Sequence, residues 1–147
     1  MTDKRRRYEK VANYNEQTRS SYFKVKDKEA FQKFLDRFVG AVELIEDDKG
    51  RVGFLAPEGI PSEWPVTDAD GMEESVEVDF LAELAKHLAR HEVAVIVGNG
   101  YEKMRYLTGF AVAVNGKDER RSVNIESIYE LAKKLTKQPK RITRAEY

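Results

Sequence analysis

The chain has 147 residues, with 26 Lys/Arg against 26 Asp/Glu, two His and no Cys. That length fits one domain and excludes two ordinary ones. Without Cys there is no disulfide scaffold, thiolate catalysis or Cys-based zinc site, and 41% apolar residues supply a core that needs none of them.

Residues 1–19 are basic and polar, with Lys4, Arg5, Arg6 and Arg7 in a row and no apolar periodicity. They read as an N-terminal arm outside a single domain of residues 20–138, and as dispensable for folding. No apolar signal core occurs in MTDKRRRYEK, and no run of about 18 apolar residues exists, so the expectation is a cytoplasmic protein without a membrane partner. Residues 20–26 alternate, with Phe23 and Val25 on one side and Tyr22, Lys24 and Lys26 on the other, the pattern of a half-buried strand. Asp27 is placed as the N-cap of a helix over 28–39. In it Ala30, Phe31, Phe34, Leu35 and Phe38 recur at helical spacing, and Gly40 stops it.

Residues 41–45 and 51–55 flank Glu46–Gly50 as a hairpin with a long loop. Residues 56–75 hold Pro57, Pro61, Pro65, Gly59 and Gly71 and read as one extended loop, which contains the single tryptophan, Trp64. Val76, Val78, Phe80, Leu81, Leu84, Ala85 and Leu88 mark a second helix near 77–90. Residues 93–97 are a central apolar strand. Asn99-Gly100 predicts a type I′ turn into a strand at 104–114, with Gly109 as a bulge or close-packing point. Asn115-Gly116 predicts a second such turn, leading to a polar edge strand near 120–124. Ser127 and Glu130 match a capping box for a third helix. Ile125, Ile128, Leu131, Ala132 and Leu135 share its apolar face, and Lys133, Lys134 and Lys137 lie in its last turn. Pro139 ends it, and residues 139–147 read as a basic tail.

The predicted fold is therefore α+β. A single antiparallel or mixed sheet is packed by about three helices, and the order β-α-β-β-α-β-β-β ends in a C-terminal helix. Its first part is the ferredoxin-like order β-α-β-β-α-β.

Catalytic patterns are weak. His87 and His91 lie four apart, as on one helix face, but a third ligand is missing and Arg90 adjoins them, so no metal is expected. Gly98-Asn99-Gly100 does not complete a phosphate loop. Asp68-Ala69-Asp70-Gly71 fails the EF-hand pattern because the glycine comes too early. No nucleophile elbow or triad motif appears. The expectation is a protein that is not an enzyme and carries no cofactor.

Charge points to binding. Residues 1–28 carry a net +5, residues 29–102 a net −11 and residues 103–147 a net +6. The densest acidic stretch is Asp68, Asp70, Glu73, Glu74, Glu77 and Asp79, with Trp64 nearby. Such a surface attracts the basic groove of a protein that handles nucleic acid. The alternative is direct nucleic-acid binding through Arg5, Arg6, Arg7, Lys103, Arg105, Arg120 and Arg121, with Tyr22, Tyr106 and Phe110 stacking on an open sheet face. Oligomeric state stays open at this stage.

Three segments resemble a family of small uncharacterised proteins of phages, plasmids and integrated mobile elements. They are Tyr22–Asp27 with Glu29-Ala30-Phe31, then Glu92–Val95 with Glu102–Asn115, and Ile128–Ala132. The resemblance spans residues 21–134 and implies no catalytic residues. It implies a setting, since mobile elements carry small inhibitors of host defence nucleases, and so favours the acidic reading: a non-enzymatic inhibitor of a host protein.

Overall fold

A computed structural model describes residues 15–103 and 106–145. The described residues form β1 (Asn15–Ser20), α1 (Lys28–Asp36), β2 (Glu43–Glu46), β3 (Val52–Ala56), β4 (Glu63–Thr67), β5 (Glu73–Glu77), α2 (Phe80–Ala85), β6 (Val93–Glu102), β7 (Tyr106–Asn115), β8 (Arg120–Asn124) and α3 (Ile128–Ala132). Single 3-10 turns at Ile125–Ser127 and Lys133–Leu135 flank α3. Among the described residues no helix is long and apolar enough to cross a membrane.

Six strands form one sheet in the order β2-β3-β1-β6-β7-β8, and every neighbouring pair is antiparallel. β1 and β2, connected through α1, have β3 between them. β3 and β6, connected through α2, have β1 between them. These are two interlocked split β-α-β units, as the predicted element order implies. β7 and β8 extend the sheet as a meander. The single sheet expected from sequence is corrected, because β4 and β5 pair only with each other as a separate hairpin. They occupy what reads in sequence as a loop over 56–75. Three prolines and a carboxylate run mask the signal, and the turn between the strands comes from Gly71 at φ +80°.

The core lies on one face of the sheet. Asp27 caps α1 as expected, its carboxylate accepting from the Ala30 N–H at 3.2 Å. Phe31, Phe34, Leu35 and Phe38 then point inward, against Phe80, Leu84 and Leu88 from the α2 segment. Beneath them lie Val52, Phe54 and Ala56 of β3, Ala94 and Ile96 of β6, and Val114 of β7. The second helix is much shorter than expected: β5 takes Val76 and Glu77, and the chain turns after Ala85. His87 and His91 therefore do not share a helix face. His87 stacks on Phe34 with ring centroids 4.9 Å apart, while His91 sits at φ +66°.

The largest correction concerns the N-terminal arm. Residues 15–20 are a strand near the middle of the sheet, and residues 23 and 25 make only isolated bridges to Val52 and Leu88. β1 has no apolar alternation because its inward positions are Thr18 and Ser20, both buried. Small side chains are required there. A Cβ on Gly53 of β3 would stand 2.6 Å from the Ser21 carbonyl oxygen, and one on Gly98 of β6 would stand 2.4 Å from the Phe110 ring. Ser20 is satisfied: its hydroxyl donates to the Ser21 carbonyl at 2.7 Å and accepts from the Phe54 N–H at 2.8 Å. The Thr18 hydroxyl has no hydrogen-bond partner among the described residues.

Two turn assignments also change. Asn99 and Gly100 do not turn; β6 runs straight through them, paired with Gln17 and Glu16 on one side and Gly109 and Thr108 on the other. Gly109 keeps regular register and is no bulge; it is a close-packing point, where a Cβ would meet Ile125 Cγ2 at 3.1 Å. Between β7 and β8 the left-handed residue is Asp118, at φ +60°, not Gly116. Asn115 Oδ1 accepts from the Lys117 and Glu119 N–H groups, both at 3.0 Å, and closes that loop.

The C-terminal segment also differs. Ser127 makes no side-chain cap; its hydroxyl donates to the Asn124 carbonyl at 2.7 Å. α3 buries no residue in the core. The basic tail folds back, with Arg144 paired to Glu126 and lying 4.4 Å over the Tyr129 ring.

Three outcomes follow. Deleting residues 1–19 removes β1 and abolishes the cooperative thermal transition, whereas a melt close to that of the full chain would mean that the strand is not needed. Replacing Thr18 by Val removes a buried unpaired hydroxyl and should raise stability by about 1 kcal/mol in denaturant titration; Gly98→Ala should lower it by about 1–3 kcal/mol through overpacking.

Candidate functional site

The acidic stretch is a hairpin. Glu63 faces Glu77 across it, Trp64 faces Val76, Val66 faces Glu74 and Thr67 faces Glu73. Alternation places Trp64, Val66, Glu74 and Val76 on one side and Glu63, Glu73 and Glu77 on the other. Every residue from 67 to 77 is exposed. Like charges directly opposite each other, as at Glu63 and Glu77, destabilise a strand pair.

Trp64 offsets that cost by fastening the hairpin to the body. Its ring lies 5.5 Å from Phe38 and 6.4 Å from Phe34, centroid to centroid, and the Arg37 guanidinium lies 3.3 Å from its centre. The ring is half-buried between α1 and the hairpin. Its place is that of an anchor, and the contact that sequence reading missed is the cation over it, Arg37.

The six carboxylates divide into two kinds. Asp68 builds the turn: Oδ1 accepts from the Asp70 and Met72 N–H groups, both at 2.9 Å. Asp79 caps α2, accepting from the Ala82 N–H at 3.2 Å, and its other oxygen accepts from Arg120 at 2.9 Å. The Arg120 hydrogen bond, with the capping N–H, holds the Asp79 carboxyl below the usual carboxylate range. Asp70, Glu73, Glu74 and Glu77 make no salt bridge among the described residues, and neither does Glu63, a carboxylate not singled out from sequence. Its only sequence signal was adjacency to Trp64. No group of three or more His, Asp or Glu among the described residues is placed to hold a metal ion.

The basic set is dispersed. Arg5, Arg6, Arg7 and Arg105 lie outside the described residues. Lys103 sits on the β6–β7 turn at φ +50°. Arg120 is neutralised by Asp79 and by Asp118, the latter at 2.8 Å. Arg121 is exposed on the face opposite the core, paired in register with Ala113. Of the stacking candidates, Phe110 lies on the core side against Gly98, so it is not on an open face. Tyr22 is partly exposed, with Arg19 5.9 Å from its ring centre.

Comparison of the chain with models of protein families, with curated proteins and with solved structures finds no match.

Half-buried His87 gives a pH prediction. Burial, more than the neighbouring charges, lowers the His87 pKa from 6.5. The folded state therefore disfavours the proton that the unfolded chain accepts. Stability should be flat above pH 6.5 and fall as pH drops below it, until the folded-state pKa is passed. Urea midpoints across this range should show the slope, and His87→Phe, which keeps a ring against Phe34, should remove it.

Proposed function

We propose that this chain is a non-enzymatic binding protein whose β4–β5 hairpin enters the basic nucleic-acid groove of a partner protein. The observation that supports this reading is the hairpin's charge: Asp70, Glu73, Glu74, Glu77 and Glu63 share a projecting two-stranded element without a cation among the described residues. Glu73 and Glu77, four residues apart on one side of β5, stand about 13 Å from each other, and Glu63 faces Glu77 across the ladder, so three carboxylates share that side. Such a group speeds encounter with a basic groove and disfavours acidic partners. The resemblance to mobile-element proteins supplies the setting, in which the partner is a host protein that handles nucleic acid and the hairpin acts as its inhibitor. Neutralisation of Arg120 weighs against the chain itself binding nucleic acid.

The test compares the wild-type chain with the variant D70N/E73Q/E74Q/E77Q, which spares Asp68 and Asp79 because both carry backbone hydrogen bonds. The immobilised wild-type chain should retain a basic host protein at low salt. Excess duplex DNA should release it, because both compete for one groove. The variant should melt like wild type and retain at least about tenfold less, since charge complementarity governs encounter. A gel shift of DNA by the chain alone at physiological salt, or equal retention by the variant, overturns the reading.

A further inference from the structure

Among the described residues, no element covers most of the face of the sheet opposite the core. β6 presents Val93, Val95 and Val97 there, with Val97 52% exposed, and β8 presents Val123 at 68% together with Arg121, while Arg19 of β1 borders the patch beside Val97. Between them, β7 presents only Gly109, Ala111 and Ala113. A low strand thus lies between two higher ones. Two strand spacings put these walls about 10 Å apart from axis to axis, which leaves a trough for one row of side chains from a helix laid along the face.

The same chain carries a matching element. Ile125, Ile128, Leu131 and Leu135 form an apolar stripe along α3 and its flanking turns, with Ile128 56% and Leu135 89% exposed. The chain's own tail covers a different side of this segment: Arg144 lies over Tyr129, and the Ala145 N–H donates to the Tyr129 hydroxyl at 2.7 Å. Ile125 rests at Gly109, so the stripe starts at the end of the trough and is continuous with it. Yet α3 itself buries nothing there.

We propose that the occupant is a second copy of this chain, with the α3 segment of each copy lying on the open sheet face of the other. Area and symmetry select this partner. Together with Leu107, the exposed apolar residues of the face and stripe exceed the roughly 300–600 Å² patch of a typical monomer and are comparable to the about 800 Å² that each partner buries in a standard interface. A two-fold axis pairs stripe with trough twice, so one contact covers both unpartnered surfaces of both chains. The β4–β5 hairpin takes no part, so this assembly stands or falls independently of the proposed function.

Sedimentation equilibrium of the full chain is the test. The wild type should have the mass of two chains at about 100 µM, above the micromolar Kd expected of a standard-size interface. L135D should sediment as one chain with an unchanged circular dichroism spectrum, because Leu135 is almost fully exposed and supports nothing within its own chain. Ala113→Arg, which fills the trough from the other side of the contact, should do the same. A wild type that stays monomeric overturns the proposal, whether or not it binds lipid vesicles, and so does a dimer that both variants leave intact.

Discussion

The backbone hydrogen bonds of β1 join the β2–β3 hairpin to the β6–β7–β8 meander, and no other strand among the described residues does so. Both split β-α-β units pass through this strand. Its side chains add little apolar area, so its contribution is a double set of ladder bonds formed in a dry interior, where leaving them unmade is costly. That role requires close approach. It explains why the neighbouring strands carry Gly53 and Gly98, and why the strand's own inward residues are Thr and Ser.

With the sheet closed in this way, its two faces have different fates. One is sealed by phenylalanines from α1 and α2, whose rings meet edge-on or tilted over Phe54 and Phe80. Such aromatic pairs add directional attraction to their burial. Trp64 extends this cluster outward and holds the acidic hairpin at its margin, with Arg37 over the ring. The other face is largely apolar and, among the described residues, touched by the C-terminal segment only where Ile125 meets Gly109. Charge and apolar surface are therefore displayed by different elements.

Counting charges overstates what is available for binding. Of the acidic stretch, Asp68 and Asp79 are used by their own turn and helix cap. Of the basic stretch, Arg120 ties the β7–β8 loop to the start of α2 through Asp79 and Asp118. Each of these groups has already exchanged water for a fixed partner, so it contributes less to attracting a second molecule. What remains projecting is the negative hairpin.

Local pattern determined much of this protein. The amphipathic period of α1 and its Asp27 cap, the hairpin around Gly50, the apolar run of β6, the α+β class and the acidic stretch are all legible because each depends on neighbours within a few residues. Tertiary structure decided the rest. β1 could not be seen because a strand buried by its neighbours needs no apolar alternation of its own. Asn99-Gly100 reads as a turn, yet ladder bonds to β1 and β7 on both sides outweigh that preference. The β4–β5 hairpin depends on Trp64 reaching α1, and the assignment of Arg120 to structure depends on an aspartate 41 residues away. These are all long-range pairings, whose energies appear only when distant segments meet.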